Sequence, residues 1–213
     1  SMIIAIILAV ILAIMRKSAN PVLRGVSWFY IWFFRGTPVY TQLVFWGLFS
    51  VLIPRLSLGI PFTSVEFWSV DSQTVVTAFN AAVIGLALNE AAYLAEIVRA
   101  GLEAVDPGQE EAAKALGMKR SMIMRRVILP QAMRTAFPSL SNSLIAMVKD
   151  TSLAANITVV EMLRATEQIN ARVYEPLALY IEVGLIYLLF STVLTWLQRV
   201  GEKRLSAYEN RGV

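Results

Sequence analysis

Glu111-Ala112-Ala113-Lys114-Ala115-Leu116-Gly117, then nine residues, then Val127-Ile128-Leu129-Pro130: this stretch decides how the 213-residue chain is read. It is polar, basic and helix-forming, inside a chain otherwise built for lipid. Asp106 followed by Pro107, with Gln109 three residues after the Asp, predicts a helix start of the capping-box kind. The helix should run through Ala115 or Leu116, and Gly117 can take the left-handed conformation that ends it. Ser121 can cap a second short helix leading towards Leu129. The expectation is two short helices folded at a glycine, lying across a membrane face over about residues 103–130. Ala112 and Ala113 are small enough to let another protein come close, and Glu111 offers a carboxylate to a partner's Arg or Lys. A plain solvated loop would explain Glu-Ala-Ala by helix propensity alone. It would not explain the spacing on to Gly117 and Leu129-Pro130.

Composition says why such a loop stands out. Hydrophobic residues make up 57% of the chain and charged residues 16%, against roughly 25% charged in a soluble domain; mean hydropathy is +0.61. There is no Cys and no His, which removes disulfides, thiolate metal sites, the usual zinc ligand and the usual proton shuttle at neutral pH. No G-x-x-x-x-G-K-[ST] loop is present to hold ATP. No cofactor or metal site is expected, and any energy source must be a partner or an ion gradient. The net charge of +4 reads as basic cytoplasmic loops rather than a nucleic-acid surface.

The expected class is an all-α polytopic membrane protein with about five transmembrane helices. The first apolar run, Met2 to Met15, is short for a ~30 Å hydrocarbon core. With Ser1 at the start, further residues are expected upstream. A second span is predicted from Pro38, capped by Thr37, to about Ile53, where Pro54 stops it. The aromatic stretch Ser27 to Phe34 before it reads as interfacial. A third span is expected over Thr74–Ile97. The fourth should begin between Thr135 and Pro138 and end near Val148, with Lys149 and Asp150 breaking the run. The fifth covers about Leu177–Val200. Basic residues crowd the 16–35 and 99–134 segments and the tail, whereas 54–73 holds only Arg55. This puts the N-terminus outside and the basic loops and C-terminus in the cytoplasm.

Polar residues at membrane depth are costly and usually face a cavity or a partner. Asn89, Glu90 and Tyr93, with Glu96 a turn further on, form a polar stripe on the third span. They read either as pathway or as glue between helices. Glu96 is expected to pair with Arg99. Lys149, Asp150 and Thr151 follow the fourth span, and they could satisfy unwound backbone and offer one cation and one anion to a cavity, or merely form a salt bridge at a helix end. Asn142 faces the same way, and Glu182 should be paired within the bundle.

The loop pattern resembles the EAA loop of ABC importer permeases. Arg35-Gly36-Thr37-Pro38, Asn89 to Glu96, Arg99-Ala100-Gly101, Pro107-Gly108-Gln109 and Lys149 to Leu153 occur in order and look like the polar amino acid uptake branch of that family. The resemblance covers essentially all of residues 1–213 as one permease domain. The longer 54–73 stretch is its main departure. It implies a permease that is not itself an enzyme, in a bacterial cytoplasmic (inner) membrane. A second copy or sister subunit would complete the pathway, and two ATP-binding cassette subunits would dock at Glu111, Ala112, Ala113 and Gly117. An extracytoplasmic binding protein would deliver the amino acid. In relatives carrying basic amino acids, acids in the region of Glu161 contact substrate; the resemblance carries that role to Glu161 itself, with an outer-loop helix bearing exposed charges as the alternative. The rival readings are an ion-coupled secondary carrier, for which no internal repeat is apparent, and an intramembrane enzyme, for which the usual catalytic groups are missing.

Overall fold

The computed structural model describes residues 1–59 and 66–206. The helices are α1 (Met2–Arg16), α2 (Pro21–Gly36), α3 (Val39–Leu52), α4 (Ser72–Val75), α5 (Ala78–Glu103), α6 (Pro107–Ala115), α7 (Arg120–Ile123), α8 (Leu129–Asp150), α9 (Met162–Val173) and α10 (Pro176–Ser206). A π-helical turn, Met124–Ile128, joins α7 to α8, and a 3-10 turn, Thr151–Ile157, continues α8. One antiparallel hairpin, β1 (Arg55–Gly59) with β2 (Glu66–Asp71), interrupts the helical pattern.

Helices α5 and α10 are each long and apolar enough to cross a membrane, and α8 with its continuation pairs with α9 across a 50° bend. The shorter apolar helices α1 and α3 complete the five expected hydrophobic elements. Their packing relies on small residues, because lipid gives helices no hydrophobic reason to associate. Ala5, Ala9 and Ala13 recur every fourth residue on α1, as Ala87, Ala91 and Ala95 do on α5, and all six are buried. Helices α1 and α5 lie against each other over one core with Leu12, Ile31, Leu94 and Met147. A second core joins Leu43, Ala81, Ala82, Leu86, Ala154 and Ile157. Glycine sets two further approaches: a Cβ at Gly85 would sit 2.9 Å from Leu43, and one at Gly101 would sit 2.9 Å from the Ala132 carbonyl oxygen.

Several local expectations need correction. Ser27 to Phe34 belongs to a full helix, α2, capped by Asn20, whose side chain accepts from the Val22 amide, with Pro21 in the first turn. Thr37 does not cap α3. It ends α2, its hydroxyl donating back to the Phe33 carbonyl at 2.9 Å, and Pro38 occupies the cap position without a side-chain bond. The third span starts at Ala78 rather than Thr74, because Thr77 caps it by accepting from the Asn80 amide. Helix α8 starts at Leu129, with Pro130 in its first turn, and runs on through Pro138. It ends at Asp150, two residues past the expected Val148, where the chain tightens into the 3-10 turn. Within this single chain α10 is almost bare, and Glu182 on it is exposed rather than bonded within the bundle. Of the 54–73 stretch, residues 60–65 lie outside the described residues.

Candidate functional site: the helix after α5 and the cavity it is joined to

The loop after α5 folds largely as its residues dictate. The Asp106 carboxylate accepts from the Gly108 amide at 2.8 Å, and Pro107 opens α6. At the far end the Met118 amide donates to the Ala113 carbonyl and the Gly117 amide to the Lys114 carbonyl, with Gly117 at φ +72°. These two bonds form a Schellman stop, which needs a left-handed residue at Gly117. Lys114 pairs with Glu110 at 2.8 Å, and its ammonium holds the Glu110 carboxyl below the usual carboxylate range. Glu111 and Ala112 are exposed on α6, and Leu116 beside them is 82% exposed.

Three details differ from the expected loop. Ala113 is buried within the chain, so only Ala112 of the pair faces outward. Gln109 does not complete a capping box. Its side chain instead accepts from Gln131 Nε2 at 3.4 Å, tying α6 to α8. Lys119 rather than Ser121 holds the cap position of α7, which gives way after one turn to the π segment.

Helices α5 and α8 leave both ends of this loop and form the walls of a cavity of about 1080 Å3 that reaches the start of α3. Asn89, Glu90, Tyr93 and Asp150 line it together, joined by Thr135, Ser139 and Ser143 of α8. The α8 set had a legible signal, since 135, 139, 143, 146 and 150 share one helical face. Glu90 is 8% exposed, and its Oε1 makes no hydrogen bond among the described residues. Arg99 is held by Glu96 at 2.7 Å and Glu103 at 2.6 Å, so the expected Glu96 pair forms. Arg35 lies 5.4 Å from the centre of the Tyr93 ring, within cation–π range.

Asn89 is both cavity wall and joint. Its Nδ2 donates to the Phe34 carbonyl and to Gln42 Oε1. Gln42 in turn donates to the carbonyls of Phe34 and Thr37 and to the Thr37 hydroxyl.

The remaining candidates do not line this cavity. Asn142 and Lys149 are exposed on other faces of α8. The Thr151 hydroxyl donates to the Val148 carbonyl at 2.6 Å, closing the helix end. Glu161 caps α9, accepting from the Leu163 and Arg164 amides, and also receives the Tyr187 hydroxyl at 3.0 Å. Arg164 on the same helix pairs with Glu167 at 3.0 Å.

A helical membrane chain with a presented loop helix and a polar cavity between its spans has the build of a transport permease. Residues 5–207 match the family described as binding-protein-dependent transport system inner membrane component, and the chain belongs to that family. It is thus a membrane permease rather than an enzyme, and nothing supports an ion-coupled carrier. It is 46% identical over its whole length to the arginine transport system permease protein ArgU of Corynebacterium glutamicum, and spans 64% of that protein. It is 36% identical to the L-cystine transport system permease protein TcyL of Bacillus subtilis, over 99% of this chain and 83% of that one. Among solved structures, an amino acid ABC transporter crystallised with histidines matches with a TM-score of 0.77 and 34% identity, over 95% of this chain and 86% of that one. The MetNI methionine transporter in an inward-facing form shares the fold at a TM-score of 0.70 and 17% identity, over the same shares of the two chains.

Proposed function

We propose that the chain is the permease subunit of an ATP-driven importer of an amino acid in a bacterial inner membrane, with its N-terminus outside and its C-terminus in the cytoplasm. A second copy or a sister permease completes the pathway. Two ATP-binding cassette subunits dock on Glu111, Ala112 and the Gly117 turn, and an extracytoplasmic binding protein supplies substrate. The observation that carries this reading is the position of α6. It is presented outward, yet it is continuous with α5 at one end and bound to α8 through Gln109–Gln131 and the π turn at the other. A push on α6 therefore reaches both walls of the cavity. That is how a rigid-body switch between inward-open and outward-open states would be transmitted. Ala113, packed inside, anchors α6 to the chain rather than to the partner.

Within the cavity the pathway reading falls on Asn89, Glu90, Tyr93 and Asp150. The Glu90 and Asp150 carboxylates suit the ammonium that every amino acid carries. The arginine, cystine and histidine named for the relatives share that group and differ in side chain, so the reading stops at the class of amino acid.

The deciding experiment is co-purification of the permease with its cognate ATPase, comparing wild type with Glu111→Arg. Retention by the wild type and loss by a folded mutant is expected. A wild type that holds no ATPase in lipid would overturn the docking role.

A further inference from the structure

The β1–β2 hairpin has two unlike faces. Its register pairs Leu56 with Val70 and Leu58 with Trp68, and Arg55 with Asp71 and Ser57 with Ser69. Directly opposed residues share a face and the faces alternate along a strand. One side is therefore Leu56, Leu58, Trp68 and Val70, and the other carries Ser57, Ser69 and the opposed charges Arg55 and Asp71, with Phe67 left unpaired at the bulge. A bulge falls between Leu58 and Gly59. Leu58 is 67% exposed and Trp68 51%, so no other described part of the chain covers the apolar end.

Position says what does. The hairpin hangs between two spans. Helix α3 ends at Leu52, and the Ser72 amide closes the hairpin base onto the Pro54 carbonyl at 2.9 Å. Six residues later α5 begins, after the short helix α4. Helix α5, about 39 Å long at ~1.5 Å per residue, separates this end of the molecule from α6. The exposed Val51, Leu52 and Ile53 carry the lipid-facing surface of α3 straight to the hairpin base, and Val75 and Phe79 continue it on the return. The apolar face has no charge with which to steer a soluble partner, whereas Trp at this level is the residue that membrane–water interfaces favour.

We propose that β1–β2 lies on the membrane surface opposite the coupling helix, with Leu58 and Trp68 seated at the boundary between headgroups and acyl chains and Ser57 and Ser69 facing water. The hairpin acts there as an interfacial anchor for the α3–α5 connection.

Residues 1–213 contain no cysteine, so in a transporter whose remaining cysteines are replaced, Leu58→Cys, Trp68→Cys, Ser57→Cys and Ser69→Cys each give one labelling site per permease chain. An environment-sensitive fluorophore is placed at each in turn, in the assembled transporter in nanodiscs. Quenching is then compared between nitroxide-bearing lipids and aqueous iodide. Positions 58 and 68 are expected to show several-fold stronger lipid quenching and weaker iodide quenching than 57 and 69. Equal iodide access at all four positions overturns the proposal. So does shielding of 58 and 68 from both quenchers, which indicates a protein partner, and so does shielding that develops only when the binding protein is added. Labels at two residues on each face keep the result independent of any one substitution.

Discussion

The Asn89 amide donates at 3.0 Å to the Phe34 carbonyl, across a sequence separation of 55 residues. That carbonyl lies in the last turn of α2, where helical acceptors lack partners of their own. Gln42 reaches the same oxygen from α3, so three helices meet at one acceptor. Removing a buried bond of this kind costs about 1–2 kcal/mol. Asn89→Ala is expected to lower the thermal midpoint in nanodiscs by a few degrees. An unchanged midpoint would show that the three helices do not depend on this bond.

Gly101 sets how closely α5 and α8 approach on the side nearest α6. A Cβ there would stand 2.9 Å from the Ala132 carbonyl oxygen and 3.0 Å from the Ala136 methyl, and the first of these is backbone that cannot rotate away. Overpacking of this sort costs about 1–3 kcal/mol. Gly101→Ala should destabilise the protein and weaken the response of transport to ATP. Gly25→Ala, where nothing lies within 4 Å, is the matched control. Equal behaviour of the two variants would show that α8 gives way freely.

Gly117→Val tests the stop of α6. At φ +72° a β-branched residue is strained by roughly 1–2 kcal/mol. The Schellman bonds should loosen and the turn between α6 and α7 should re-form elsewhere. The expected result is near-normal insertion in the membrane with clearly reduced ATPase retention on gel filtration. Full retention would mean that the partner does not need this turn.

Much of this was legible in the residues, for reasons that differ by element. Asp106-Pro107 and Gly117 encode the ends of α6 locally, and long apolar runs mark α5 and α10 without any partner in view. Helix α2 carried its own signal in Asn20-Pro21, a cap followed by a first-turn proline. Pro138 misled, since a proline at a helix start and one tolerated inside a span look alike in sequence; here Pro130 takes the first-turn place. The hairpin lacks a two-residue Asn-Gly or Asp-Gly turn, so its short alternation Leu56-Ser57-Leu58 gave little warning. The knot of Gln42, Asn89 and Phe34 depends on three distant segments and had no local signature.

Glu90→Gln follows from the proposed pathway. A carboxylate on the wall of the cavity can take the substrate's ammonium in a charge-assisted bond worth about 1.5–3 kcal/mol, which is tenfold or more in affinity. ATP-driven uptake by the reconstituted transporter should therefore show a KM at least about tenfold higher. A folded mutant with unchanged uptake would sink the role, and a higher thermal midpoint would then identify Glu90 as a costly buried charge.

Glu161 gives the opposite expectation. Its two oxygens already serve the Leu163 and Arg164 amides at the start of α9 and the Tyr187 hydroxyl on α10. A cap of this kind is worth about 1 kcal/mol, and the link to Tyr187 fixes α9 against the last span. Glu161→Ala should lower the thermal midpoint and increase amide exchange in α9, while the ranking of amino acids as uptake competitors stays the same. Glu161→Asp keeps a capping carboxylate and should recover part of the lost stability. Tyr187→Phe should reproduce only the part of the loss that comes from tethering. If Glu161→Ala instead reorders the competitors at an unchanged midpoint, the carboxylate reads the substrate's side chain, and the cap is a consequence of where it sits.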